Sequence, residues 1–278
     1  MKILTVGDIV GENGLKKACE VIPKLKEKYN IDFIIMNGEN AAGGMGITEN
    51  LFKKMITVAG ANVITMGNHT WGKKDIFKFI DDDKLIRPAN YPEGVVGKGF
   101  NIYKCNNKNI GVINLLGRTD MGVLTENPFV IVNNIINTIK NKCDIIVVDF
   151  HAEATAEKIA MGYFLDGKVQ ILYGTHTHVQ TADDQILPKG TAYITDIGMT
   201  GPKNSVIGMD IKASLKRFTT TLPEKYKLAE GECIFNACLF EINDENNCVM
   251  KITKIKEWYM SKYVKTARWK LPFFTKNH

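Results

Sequence analysis

No stretch of this 278-residue chain approaches the roughly 18 consecutive apolar residues of a membrane span, so a helical membrane protein is excluded as an expectation. The opening Met1 to Asp8 segment has too short an apolar core for a secretory signal. Six cysteines are present, at 19, 105, 143, 233, 238 and 248, yet none forms a Cys-x-x-Cys pair. Scattered thiols fit a reducing compartment better than a disulfide framework, and the expected location is cytoplasmic. The glycine-rich stretch Gly38 to Gly46 lacks a Walker lysine and is not a dinucleotide-binding Gly-x-Gly-x-x-Gly, so it reads as a loop that shapes a site. There is no internal repeat, no low-complexity linker and no break in composition before the C-terminal end.

What remains is ordinary globular composition, 45% hydrophobic and 24% charged, in a chain long enough to bury a core without disulfides. The net charge of +6 is unevenly placed. Between Lys251 and Lys276 eight Lys or Arg stand against one acid, Glu257, which leaves residues 1–250 near −1. Trp258, Tyr259, Tyr263, Trp269, Phe273 and Phe274 interleave with these cations. Such a segment, from about residue 259, can stack and neutralise single-stranded RNA, or can pack its aromatics on the body or on a neighbouring subunit.

Short apolar runs alternate with amphipathic patterns. Ile3 to Val6, Phe33 to Met36, Val63 to Met66, Ile145 to Phe150, Val169 to Tyr173 and Ala192 to Ile194 read as strands, and Phe100 to Tyr103 with Ile110 to Leu115 as a hairpin. Helices are expected over Gly14 to Tyr29, Leu51 to Ala59, Asn127 to about Lys140 and Glu153 to Phe164, the third opened by an Asn cap followed by proline. Gly198 to Glu230 reads as irregular with a helix near Ile211 to Arg217, and Cys233 to Ile242 with Val249 to Trp258 as a closing antiparallel pair. The pattern predicts a single α/β domain, residues 1–278, with mixed sheets.

Histidine is scarce: five residues, one of them the final His278. The other four, His69, His151, His176 and His178, all fall at or just beyond a predicted strand end, as do Asp8, Glu39, Asn40 and Asn68. Ligands of open α/β sheets bind at the carboxyl ends of strands, so five strands deliver metal-type ligands to one edge. Carboxylate, imidazole and amide oxygen together suit Mn, Fe or Zn better than calcium. Each residue alone has a plainer reading: Asp8 as a turn residue, Glu39-Asn40 as a loop cap, His151 as a core histidine. Asp81-Asp82-Asp83 reads as a solvated turn, and Thr195 to Gly201 as a contributor to the rim of a pocket.

Gly67-Asn68-His69 and Gly174-Thr175-His176-Thr177-His178 resemble the G-N-H and G-H-x-H blocks of calcineurin-like metallophosphoesterases, with Gly7-Asp8 as the first block and His151 as the isolated histidine. Two departures, Val10 where that family carries histidine and Gly38-Glu39-Asn40 as the second block, resemble the bacterial YmdB-type subfamily of 2′,3′-cyclic-nucleotide phosphodiesterases. The resemblance implies an α/β/β/α sandwich, a homo-oligomer and a centre of two divalent transition-metal ions, iron or manganese with zinc as an option, sharing a bridging hydroxide. It implies Glu39 as the bridge, Asp8 and His178 on the first metal, and Asn68, His151 and His176 on the second. Asn40 stands where it can help fill the gap at Val10, and His69 is expected to act as general acid. A phosphomonoesterase or nucleotidase with the same centre, or an RNA-binding regulator with structural metals, are the alternatives.

Overall fold

The computed structural model describes residues 1–225 and 227–258; the basic, aromatic segment expected from residue 259 onward lies outside the described residues. In chain order the elements are β1 (Lys2–Val6), β2 (Asp8–Ile9), α1 (Gly11–Tyr29), β3 (Phe33–Asn37), α2 (Glu49–Thr57), β4 (Val63–Thr65), a 3₁₀ turn (Lys74–Lys78), β5 (Leu85–Ile86), β6 (Phe100–Cys105) and β7 (Lys108–Leu116). They continue with α3 (Pro128–Ile139), β8 (Ile145–His151), α4 (Thr155–Leu165), β9 (Ile171–Thr175), β10 (Gln185–Ile186), β11 (Ala192–Ile194), β12 (Met199–Pro202), α5 (Ile211–Thr220), β13 (Cys233–Ile242) and β14 (Val249–Glu257).

Two mixed sheets result. The first has eight strands in the order β2-β12-β13-β1-β3-β4-β5, with β14 also paired to β13. The second has six, β10-β11-β9-β8-β7-β6. β1, β3, β4 and β5 run parallel, as do β7, β8, β9 and β11, and antiparallel hairpins close the flanks. The parallel strands are buried on both faces, which is why their sequences are near-continuous apolar runs.

The period-2 alternation of side chains assigns each strand residue to a layer. Ile3, Phe33, Ile35, Val63, Ile110, Val112, Ile145, Val147 and Ile171 meet between the sheets. Leu4, Val6, Ile34, Met36 and Ile64 face outward onto Leu15, Ala18, Ile22 and Leu25 of α1 and Leu51 and Met55 of α2. On the far side Ile113, Ile146, Val148 and Leu172 pack against Val132, Ile136 and Ile139 of α3 and Met161 and Leu165 of α4. The layers are therefore helix, sheet, sheet, helix, as expected.

Asn127 caps α3 by accepting from the Phe129 amide, with Pro128 in the first turn. Helix α1 begins three residues earlier than its periodicity suggests, because Gly11 bridges to the Asn40 carbonyl rather than breaking the chain. Strands β2, β5, β10 and β12 are additions to the expected set; each is two to four residues long, too short to show a period. β12 falls inside the segment expected to be irregular, and α5 inside that segment runs through Thr220. Asp81 to Asp83 does form a turn, where the Asp83 carbonyl accepts from Tyr103 and Asn101. Among the described residues no helix is long and apolar enough to cross a membrane.

Candidate metal centre

Five strands end at one place. β1 runs into Asp8, β3 into Glu39 and Asn40, β4 into Asn68 and His69, β8 ends on His151, and β9 leads directly into His176 and His178. The parallel pairing of β1 with β3, of β3 with β4 and of β8 with β9 puts these exits on the same edge of the two sheets. His176 and His178 both have left-handed backbones, φ 99° and 66°, so the chain coils back after β9 and turns both imidazoles inward.

The side chains converge. His151 Nε2 lies 2.9 Å from Asn68 Oδ1, 3.0 Å from His176 Nδ1 and 3.2 Å from Glu39 Oε1. Donor atoms about 2.1 Å from one ion, at right angles, stand about 3.0 Å apart, so these spacings are those of a coordination shell. Asn40 bridges outward from this group, its Nδ2 donating to Glu39 Oε1 at 2.9 Å and lying 3.1 Å from His178 Nε2. Asp8 Oδ2 accepts from the His176 amide at 3.2 Å, but its buried Oδ1 has no hydrogen-bond partner; the nearest cationic candidates are His151 Nδ1 at 3.7 Å and His178 Nε2 at 4.0 Å. An orphaned, fully buried carboxylate oxygen is costly, and a cation is the partner that would satisfy it. Gly67 completes the space: a Cβ there would collide with Glu39 Oε2 and His151 Nε2, so only glycine leaves room among the donors. The residues present fit a divalent cation.

The electrostatics agree. Asp8, Glu39 and Asp149 are three carboxylates buried within the same group. Burial pushes the Asp8 carboxyl up. For Glu39 burial acts in the same direction but is outweighed by His151 and His69, which hold it well below the usual range. Burial opposes charge on His151, yet Glu39, Asp8 and Asp149 outweigh it and raise the imidazole to about 9. His176 moves the other way, to about 3, through burial and the neighbouring His151. The carboxylates around His151 thus favour positive charge at this place, which a bound cation would also supply.

Residues that sequence reasoning did not single out orient this set. Thr175 Oγ1 donates to Asp149 Oδ1 at 2.7 Å, so its oxygen is left to accept from His151 Nδ1 at 2.9 Å. That relay keeps the His151 proton on Nδ1 and points Nε2 at the other donors. The Ile207 carbonyl does the same for His178, accepting from Nδ1 at 2.8 Å. Beneath the loop, buried Lys158 of α4 donates to Asp196 Oδ2 at 2.8 Å and to the Thr175 carbonyl at 2.7 Å. Asp196 also accepts from the amide and hydroxyl of Thr177 and from the Gly198 amide. Asp196 is thus a buried anchor of the histidine loop, not part of the pocket rim that its segment suggested. His69 stands at the mouth of the cleft with its side chain about one-third exposed (32%); its amide donates to Glu39 Oε2 at 3.0 Å, and its Nδ1 lies 2.8 Å from Asn40 Oδ1. Val10 is buried against Gly201 and Gly208, and no ligand enters from its position.

Glu39, Asn40, Asn68, His176 and His178 line one cleft of about 430 Å³ together with His69, and Asp8 and His151 are buried in contact with them. A family model described as YmdB-like protein matches residues 4–255. The chain is 50% identical over 256 residues to the 2′,3′-cyclic-nucleotide 2′-phosphodiesterase of Bacillus subtilis (strain 168), spanning 92% of this chain and 96% of that protein. The crystal structure of a novel phosphatase from Mycoplasma pneumoniae superposes with a TM-score of 0.88 at 37% identity, covering 93% of both chains. That of a hypothetical protein from Thermus thermophilus superposes with a TM-score of 0.87 at 34% identity, covering 93% of this chain and 99% of the other.

Proposed function

Because the chain belongs to the YmdB-like family, we propose that it is a metal-dependent phosphodiesterase that hydrolyses 2′,3′-cyclic nucleotides. The observation that carries the reading is the meeting of Asp8, Glu39, Asn68, His151, His176 and His178 around a space that only a glycine at 67 leaves open, with Asp8 Oδ1 unpartnered in it. The proposed set exceeds the four ligands of one tetrahedral ion, which favours two divalent transition metals, iron or manganese with zinc as an option. In this reading Glu39 would be the shared ligand, with Asp8 and His178, and Asn40 beside them, serving one ion and Asn68, His151 and His176 the other. When bound, such ions supply Lewis acidity that activates water and offsets the negative charge of the phosphodiester.

The chain's own residues do the rest. Thr175 and Ile207 hold protons on the Nδ1 atoms of His151 and His178 and so present both Nε2 atoms as ligands. Asn40 Oδ1 holds the Nδ1 proton of His69, which leaves Nε2 of the imidazolium to hand a proton to the leaving ribose oxygen. A sugar alkoxide is a poor leaving group, so that proton matters to this substrate class.

The test is metal analysis of the purified protein, followed by a substrate panel of cyclic nucleotides, nucleoside monophosphates and a chromogenic diester. Close to two transition-metal ions per chain and preferential turnover of 2′,3′-cyclic nucleotides are expected, and Glu39→Gln should deplete both ions because a neutral amide bridges poorly. A preference for monoesters would assign the centre to a phosphomonoesterase instead, and a single ion that survives Glu39→Gln would refute the shared-ligand assignment.

A further inference from the structure

The lining of the cleft is of two chemical kinds: Glu39, Asn68, His176 and His178 are polar, and Met45, Ile207 and Met209 are apolar. Met45 is 47% exposed and Ile207 50%. Met209 is half-buried. Single exposed apolar side chains are common, but three apolar side chains that line one cleft together with polar ones are not scattered surface residues. Their backbone is built with care. Ile207 has φ 47°, a left-handed conformation that a β-branched residue adopts only under constraint. The constraint is visible: Val206 and Met209 exchange both amide hydrogen bonds at 2.9 Å, and the Ser205 hydroxyl accepts from the Gly208 amide at 2.8 Å. The same turn aims the Ile207 carbonyl at His178 Nδ1. The apolar lining is therefore tied by one residue to a proposed metal ligand, at a fixed offset from it.

We infer that Met45, Ile207 and Met209 form a base shelf, which receives the nucleobase of a nucleoside 2′,3′-cyclic phosphate while its phosphate sits among the histidines. The inference rests on the phosphodiesterase reading and names the part of the substrate that reading leaves open. Methionine suits the task, because its polarisable sulfur packs favourably against aromatic rings and its side chain adapts to ring shape. The shelf presents no strong donor or acceptor to read base edges, so purines and pyrimidines are accepted alike. Covering about 60 Å² of apolar surface would tighten binding by about tenfold.

Two measurements on the metal-loaded protein decide this. The first is calorimetric affinity for adenosine 3′-monophosphate against methyl riboside 3-phosphate, which keeps the sugar and phosphate and lacks the base. The second is kcat/KM for adenosine 2′,3′-cyclic phosphate against the matching base-free cyclic phosphate. The base-bearing ligand should bind about tenfold tighter in the native protein, and the ratio should fall below about threefold in a Met45→Ala/Met209→Ala variant. Equal affinities for the two ligands in the native protein, or a ratio that survives in the variant, would overturn the shelf. If neither cyclic substrate turns over while the affinity ratio behaves as stated, the shelf stands and the phosphodiesterase reading falls; turnover with a base-free ratio near one gives the reverse.

Discussion

Replacing Lys158 with methionine should be among the most damaging single changes available outside the ligand set. The side chain is buried, as is Asp196, and their contact at 2.8 Å is supported by a second bond from the ammonium to the Thr175 carbonyl. Methionine fills a similar volume, so little of the effect comes from a cavity. What it leaves is a buried carboxylate with three protein donors, the Thr177 amide and hydroxyl and the Gly198 amide, but no counter-charge. Breaking one partner of a buried pair costs about 3–5 kcal/mol. For a chain of this size that corresponds to a fall in Tm of roughly 6–20 °C. Urea and thermal unfolding of the metal-free protein measure it directly. Asp196→Asn added to Lys158→Met removes the stranded charge and should recover much of the loss, so the double-mutant cycle should show strong coupling between the two positions. A single variant that loses under about 1 kcal/mol, or a double variant no more stable than the single, would refute the claim that this pair anchors the histidine loop.

Three further outcomes are expected. Thr175→Val keeps the side chain's shape and deletes the link between Asp149 and His151, so metal affinity in a chelator competition should fall by about 10–100-fold. His69→Ala should slow a cyclic nucleotide by about 10²–10⁴-fold yet slow a nitrophenyl diester much less, with metal content retained; equal losses on both substrates would remove the general-acid role. If residues 259–278 bind RNA, deleting them should abolish that affinity and its salt dependence while hydrolysis of a small diester is retained; if they pack structurally, the deletion should instead lower stability or change oligomer size, and no RNA binding by the intact protein at low salt would remove the first option.

The donor residues were legible because each follows an apolar strand closely, and glycine before several of them permits the exit. The supports were not. Asp149 is one acid within the run Ile145 to Phe150 and reads as an interruption of a strand, although it is fully buried and raised to about 6 by burial. Lys158 sits on a helix, where lysine ordinarily reads as solvated. Gly174 lies beside it, where a Cβ would collide chiefly with the Thr195 carbonyl and would also press on the Lys158 Cδ at 3.0 Å. The left-handed backbone of Ile207 leaves no trace in residue type, since β-branched residues ordinarily avoid it. The major strands were recoverable from apolar runs, whereas β2 forms by pairing Asp8 with Met199 of β12, and β12 by pairing with both β2 and β13, contacts that no local pattern encodes.

The position of β1 sets an order on the making of this protein. It lies between β3 and β13, and its register with β13 pairs Ile3 with Phe240 and Val6 with Ala237. At a synthesis rate of about 5–20 residues per second, β13 follows β1 out of the ribosome after roughly 12–50 s. Throughout that interval one edge of the strand leading to Asp8 is unpaired. β3, β4, β8 and β9 can find their partners sooner, so Glu39, Asn68, His151 and His176 can gather first. Asp8 itself gains Met199 of β12 as a partner before that, and the insertion of β13 then closes the open edge of β1 behind it. A chain terminated before residue 233 would carry every one of the proposed ligands, with Met199 of β12 available to pair with Asp8, but would lack the β13 partner of the strand that leads to it.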